Sequence, residues 1–131
     1  EVLFVPKKEI ADHPNTVTLR MIKGDLEMSV TGVSIGGGNI QITEMNGYSI
    51  SLGMGNPTYI IINKDVPGLL SRVSTIFMKH GLNIGKVTMT RKTRGENGIV
   101  LSAIDDTPDD PEGLRQEIKR EDDVLSVTYF K

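Results

Sequence analysis

The chain has 131 residues, 37% of them hydrophobic and 24% charged, with a formal net charge of −2; that profile is one of a soluble globular protein with one or two small domains. With three Phe, three Tyr and no Trp the core must be aliphatic, and the lack of a concentrated Lys/Arg footprint (Lys86, Arg91, Lys92 and Arg94 come nearest) argues against nucleic-acid binding. No cysteine is present, which excludes disulfides, thiolate catalysis and Cys-ligated zinc or iron–sulfur centres on this chain and agrees with a cytoplasmic location.

No apolar run approaches the length of a membrane span, and nothing resembles a signal peptide. The chain opens on Glu1 rather than Met, as expected of a segment that starts partway through a domain. A core this small is marginal alone, which predicts self-pairing or docking on another chain.

Residues 1–15 carry little periodicity. From Thr16, Val17, Leu19 and Met21 alternate with Thr18 and Arg20, the period-two pattern of a half-buried strand. Lys23-Gly24-Asp25 is a turn, and Glu27 to Ser34 gives a second strand. Gly36-Gly37-Gly38 interrupts the ladder before a third strand at Ile40 and Ile42. Asn46-Gly47 favours a type I′ hairpin, followed by Tyr48, Ile50 and Leu52 in a fourth strand. Residues 16–52 therefore predict an antiparallel β meander. Gly53, Gly55, Asn56 and Pro57 form a breaker cluster, and the domain boundary is placed there.

Tyr59-Ile60-Ile61-Ile62 predicts a central strand covered on both faces or packed in a dimer. Asp65-Val66-Pro67-Gly68 opens a helix whose inner face carries Leu69, Val73, Ile76 and Phe77. Gly81 ends it. Val87, Met89 and Arg91 alternate in the next strand; Ile84 is out of phase, which predicts a bulge near Gly85. Arg94 to Gly98 is a hairpin loop and Ile99 to Ile104 a strand. Asp109-Asp110-Pro111 starts a second helix with an aspartate cap and proline in the first turn, burying Leu114 and Ile118. Leu125, Val127 and Tyr129 alternate in a last strand. The order β-α-β-β-α-β is the ferredoxin-like split βαβ arrangement. One face of its sheet is left to cover, which again points to pairing. The fold class is α+β: an antiparallel β fragment, residues 1–57, followed by a βαββαβ domain, residues 58–131.

Catalytic chemistry has few candidates. His13 and His80 stand too far apart in sequence to signal a metal site, and His80 falls at a helix C-terminus, where its positive form is favoured. No catalytic triad or paired-carboxylate setting is discernible. The Asp65-to-Gly68 loop has two readings. Asp65 caps the helix and Pro67 and Gly68 shape the turn, or the free N–H groups of the helix N-terminus receive a carboxylate, with Asn83 and Ile84 approaching from this chain or a partner. Gly36-Gly37-Gly38-Asn39 is either an anion nest or a flexible corner, and His13-Pro14-Asn15-Thr16 is a plausible turn.

Residues 58–131 resemble the ACT family of amino-acid-sensing domains. The run Ile60-Ile61-Ile62-Asn63-Lys64-Asp65-Val66-Pro67-Gly68-Leu69-Leu70 and the helix exit Gly81-Leu82-Asn83-Ile84 carry the likeness. HPNTVTLRM (residues 13–21) and TGVSIGGGNIQITEMNGY (residues 31–48) resemble the end of the anion-binding β domain in β subunits of iron–sulfur L-serine dehydratases. That domain is similar to one in some 3-phosphoglycerate dehydrogenases.

The resemblance implies a regulatory and assembly role without catalytic residues. In that family the α subunit holds a 4Fe–4S cluster that converts L-serine to pyruvate and ammonia, so this chain carries no cofactor and its expected partners are that catalytic α subunit and a second copy joined through the ACT sheet. An amino-acid effector would meet Asp65, Val66, Pro67, Gly68, Leu69, Asn83 and Ile84; an anion would meet His13, Asn15, Gly36, Gly37 and Gly38. Asp65 stands where serine-sensing dehydrogenases carry Asn; an aspartate repels a ligand carboxylate and receives an ammonium, which favours assembly over sensing. The alternatives are a regulatory tail of a 3-phosphoglycerate dehydrogenase and a free-standing amino-acid-binding ACT protein.

Overall fold

Period-two alternation builds the first half. In the structure, a computed structural model describing Leu3 and residues 15–131, Thr16–Lys23 (β1), Leu26–Gly36 (β2), Asn39–Met45 (β3) and Tyr48–Gly53 (β4) form an antiparallel sheet in the order β1-β2-β3-β4. Asn46 and Gly47 join the last two strands with φ of 50° and 76°, the double positive φ that a type I′ hairpin demands and that Asn-Gly meets at least cost. This is the predicted meander.

The second half contains Thr58–Lys64 (β5), Leu69–Lys79 (α1), Ile84–Arg91 (β6), Asn97–Ile104 (β7), Pro111–Lys119 (α2) and Val124–Phe130 (β8). Its sheet runs β6-β7-β5-β8, every neighbour antiparallel, as the βαββαβ order requires. Helix α1 ends as expected at Gly81: the Leu82 amide donates to Phe77 O at 3.0 Å and the Gly81 amide to Met78 O at 3.0 Å, the paired bonds of a Schellman closure. Helix α2 begins at Asp110, whose Oδ1 accepts the Gly113 amide at 2.9 Å, with Pro111 in the first turn. The bulge expected near Gly85 is there, as a register shift between Ile84 and Lys86. The final strand departs from simple alternation. A shift at the Ile62/Asn63 level carries Leu125 outward and puts Val124 with Val127 in the core, whereas an unbroken ladder would have aligned Leu125, Val127 and Tyr129.

Both helices cover one face of this sheet. Leu69, Val73, Ile76, Phe77, Leu114 and Ile118 close over Tyr59, Ile61, Val100 and Ile104. Tyr59 stacks tilted against Phe77 and Tyr129, with ring centroids 5.5 and 5.0 Å away. Burial, with Tyr129 beside it, pushes the Tyr59 phenol well above its usual range, so it stays neutral and donates to Pro111 O at 3.0 Å.

The opposite face was expected to be covered by a second copy. Instead the meander of the same chain lies on it: Met45, Ile50 and Leu52 pack on Ile60, Ile99 and Leu101, flanked by Val30, Ile42, Tyr48, Ile62 and Phe130. The continuous Tyr59–Ile62 run is thereby explained, since alternate residues face the helices and the meander.

The meander overhangs. Val17, Leu19 and Met21 share its inner face with Met45 and Leu52 by register, but they remain 60%, 59% and 49% exposed. The half-buried first strand that alternation predicts is therefore corrected: its apolar face has the right period but lies beyond the sheet that covers β3 and β4. Among the described residues no helix is long and apolar enough to cross a membrane.

Candidate functional site

Helix α1 starts at Gly68, in the left-handed region with φ of 86° and without a side-chain cap. Asp65 does not cap it, contrary to one of the two readings of the loop. Its carboxylate turns to the β6–β7 hairpin loop, residues 92–96. Asp65 Oδ2 accepts from Arg91 Nη1 at 2.5 Å and from the Gly95 amide at 3.0 Å, while the Asp65 amide donates to Glu96 O at 2.8 Å. The Gly95 amide and then the Arg91 guanidinium hold the Asp65 carboxyl below its ordinary range. Asp65 is thus a fixed anion, and what it fixes is the neighbouring loop.

A cleft of about 240 Å³ opens beside this pair, lined by Asp65, Met89, Thr90, Arg91 and Gly98. Its wall carries both charge signs, because the Arg91 side chain is half exposed. Behind Gly98 lies Asn63, fully buried; its Nδ2 donates to Lys64 O at 2.7 Å, and its Oδ1 has no hydrogen-bond partner among the described residues. A buried acceptor left unmade costs about 1–3 kcal/mol, so Asn63 is an expensive choice for a central strand. Sequence reasoning passed over Asn63, Arg91, Met89 and Gly98 as site residues. The signal for Asn63 was present, since it continues the Tyr59–Ile61 face of the strand and so had to be buried.

The remaining loop residues are divided. Val66 is half-buried, Pro67 and Gly68 are exposed, and the Leu69 side chain is in the core, leaving only its backbone to the loop. Arg72 in the first turn of α1 donates from Nε to Glu121 at 2.8 Å and from Nη2 to Asp123 at 2.6 Å, tying the loop's helix to the α2–β8 connection.

Asn83 and Ile84 do not meet Asp65 within one chain. Strands β5 and β6 are each antiparallel to β7, so they run parallel, and the start of β6 lies at the end of the sheet opposite to the exit of β5. Lys64 is level with Asn97 and Ile84 with Ile104, a separation of roughly 20 Å along the strands. Asn83 instead donates from Nδ2 to Asp105 Oδ2 at 2.5 Å and accepts the Asp105 amide at 3.1 Å. A second open cleft, lined by Ser74, Met78, Gly81, Leu82, Asn83 and Ile84, marks that end.

At the far corner of the meander, Gly36, Gly37 and Gly38 all have positive φ, at 89°, 62° and 78°, a succession that only glycine takes without strain. They form the exposed β2–β3 turn. Asn15 lies beside it, its carbonyl accepting the Ser34 amide at 3.0 Å, so the structure brings Asn15 and the glycines to one end of the sheet. His13 lies outside the described residues. His80 is the C-terminal cap of α1, with Nε2 2.6 Å from Glu117 Oε2 on α2. Among the described residues no three His, Asp or Glu side chains gather as metal ligands would.

The ACT domain family model matches residues 58–123, half of the chain and beginning on the first residue of β5. The chain belongs to the ACT domain family. Over 98% of its length it is also 31% identical to the "Probable L-serine dehydratase, beta chain" of Bacillus subtilis (strain 168), covering 57% of that protein. It is 27% identical over 91% of its length to the "D-3-phosphoglycerate dehydrogenase" of Synechocystis sp., covering 21% of it. This ACT chain therefore spans between a fifth and three-fifths of those two relatives. Among solved structures, the ACT domain from GTP pyrophosphokinase of Chlorobium tepidum aligns with 56% of this chain and 95% of its own at 18% identity, with a TM-score of 0.45.

Proposed function

We propose that this chain is the regulatory and assembly portion of the β subunit of an iron–sulfur L-serine dehydratase, with the reaction from L-serine to pyruvate and ammonia carried by a separate α subunit. The observation that carries this reading is the 31% identity to a dehydratase β chain, which extends across the meander and the ACT domain alike. A 4Fe–4S cluster draws its ligands from cysteine thiolates, and this sequence has none, which supports a reading in which the α subunit holds the cluster. Residues 1–57 are taken as the end of an anion-binding β domain, with His13, Asn15 and Gly36 to Gly38 as its anion contacts, and residues 58–131 as the ACT domain.

Within the cleft Asp65 suits the ammonium of an amino acid, since its fixed anion repels a carboxylate, and the half-exposed Arg91 suits the carboxylate. Asn83 and Ile84 join that site only from a second copy, since in one chain they lie at the other end of the sheet. With the meander occupying the open face, pairing of two copies is assigned to an edge of the ACT sheet, side by side.

The test is reconstitution. The chain alone is expected to release no pyruvate from L-serine, and adding the matching α subunit with its cluster intact is expected to restore it. Pyruvate formed by the chain alone refutes the assignment. The similarity to phosphoglycerate dehydrogenases favours a second reading, a regulatory segment of such an enzyme. Upstream coding sequence decides between them: a nucleotide-binding Rossmann fingerprint supports the dehydrogenase, and the start of a β domain the dehydratase.

A further inference from the structure

The β6–β7 hairpin loop is held from two sides. On one side is the Asp65 loop: Asp65 takes Arg91 Nη1 and the Gly95 amide on one carboxylate oxygen, and its own amide bonds Glu96 O. On the other side is the meander. Lys92 Nζ donates to Asn46 O at 3.0 Å and lies 4.9 Å from the centre of the Tyr48 ring, a cation–π contact. The Tyr48 hydroxyl donates to Asn97 O at 3.3 Å. The fit is close, since a Cβ on Gly47 would stand 2.5 Å from Lys92 Nζ. Arg91 and Lys92 are consecutive, so one peptide unit links the residue gripped by Asp65 to the residue that grips the meander turn.

We propose that this hairpin loop is the regulatory relay of the protein, transmitting the state of the Asp65 carboxylate to the meander through Arg91 and Lys92. With Asp65 bonded to Arg91 and Gly95, the loop is pinned and Lys92 is presented to the Asn46–Tyr48 turn. A ligand ammonium taking the Asp65 carboxylate displaces Arg91 and loosens that presentation. The direction is reciprocal, because coupling between two sites is a single free energy: weakening the turn must alter affinity at Asp65 by the same factor. The trigger rests on the amino-acid reading of the Asp65 site; the mechanical link from Asp65 to the turn does not.

Hydrogen exchange by mass spectrometry on the whole chain separates the two. Asp65→Asn removes the charge that holds Arg91 and is expected to accelerate exchange several-fold both in residues 92–96 and in the 45–49 turn, with α2 unchanged. Lys92→Met is expected to accelerate the 45–49 turn by itself, and adding Asp65→Asn to it is expected to leave that turn no faster. Acceleration confined to residues 92–96 overturns the relay. So does acceleration spread evenly through α2, which marks general loosening, and so do two variants whose effects on the turn multiply independently. Titrating the wild-type chain with L-serine and other amino acids tests the trigger separately. Absence of any binding ends the effector reading while the variants still decide the relay, and binding that protects or loosens 92–96 without reaching 45–49 overturns the relay while the effector reading stands.

Discussion

Truncating Leu52 to alanine measures whether the meander is seated on the ACT sheet. Leu52 is 5% exposed and belongs to the cluster that joins Met45 and Ile50 to Ile60, Ile99 and Leu101. Leu52→Ala removes three side-chain carbons from that layer. At about 0.8 kcal/mol for each buried carbon the transfer loss is roughly 2.4 kcal/mol, and a partly relaxed cavity adds to it, giving ~3 kcal/mol within the range of about 2–5 kcal/mol for such truncations. Leu19→Ala is the internal control: it makes the same chemical change on the same face of the same sheet, but at a residue 59% exposed, and is expected to cost under about 0.5 kcal/mol. Urea denaturation followed by far-ultraviolet circular dichroism gives both values from the shift in midpoint at constant slope. If Leu52→Ala costs less than about 1 kcal/mol, or the two variants cost the same, the meander does not occupy the open face of the ACT sheet and the reasoning fails.

Three other outcomes follow from single contacts. Gly47→Ala places a Cβ 2.5 Å from Lys92 Nζ in a residue at φ of 76°; the left-handed conformation alone costs about 1–2 kcal/mol, so a melting point lowered by several degrees is expected, and an unchanged one contradicts the docked turn. Arg72→Met breaks the bonds to Glu121 and Asp123; because all three side chains are partly exposed, a loss of only about 1 kcal/mol in thermal stability is expected. Glu112 is held down to about 2 by hydrogen bonds from Arg115 and then Gln116. Its folded value lies below its unfolded one, so its stabilisation is complete above the ordinary glutamate range and disappears as pH falls toward 2. The stability difference between wild type and Glu112→Gln should therefore be constant above about pH 5 and shrink in acid; a difference that grows in acid reverses the sign and refutes the assignment.

The elements were legible because their causes are local. Alternation marks β1 to β4, Asn46-Gly47 sets the hairpin, and the phase slip between Ile84 and Val87 betrays the bulge at Gly85. The bulge in β8 left no such mark, since Val124, Leu125 and Val127 are all apolar and the shift is decided by pairing with Asn63. What covers a sheet face is not a local property. The pattern Tyr59-Ile60-Ile61-Ile62 demands cover on both faces, but a second copy and the chain's own Met45, Ile50 and Leu52 satisfy it equally. The same limit explains β1: Leu19 and Leu52 alternate alike, and only the offset between the two sheets exposes one and buries the other. At the site, the Asp65 loop was visible from its turn residues, whereas its partners Arg91 and Gly95 lie 26 and 30 residues away and are brought to it by topology.

That topology decides which residues can cooperate. In the order β6-β7-β5-β8 the parallel strands β5 and β6 deliver their C-terminal ends to one side of the sheet. The loop after β5, with Asp65, and the loop after β6, with Arg91 to Glu96, must therefore be neighbours in every chain with this connectivity. The residues that precede β6 and follow β7 are equally bound to the opposite end, which is why Asn83 finds Asp105 and not Asp65. The two motifs that carry the family likeness, one on each side of α1, thus occupy opposite ends of a single sheet. A ligand that needs both ends requires two sheets placed so that the β5 exit of one faces the β6 entry of the other. Assembly is then a precondition of joint recognition, and within one chain the Asp65 end communicates with the meander instead.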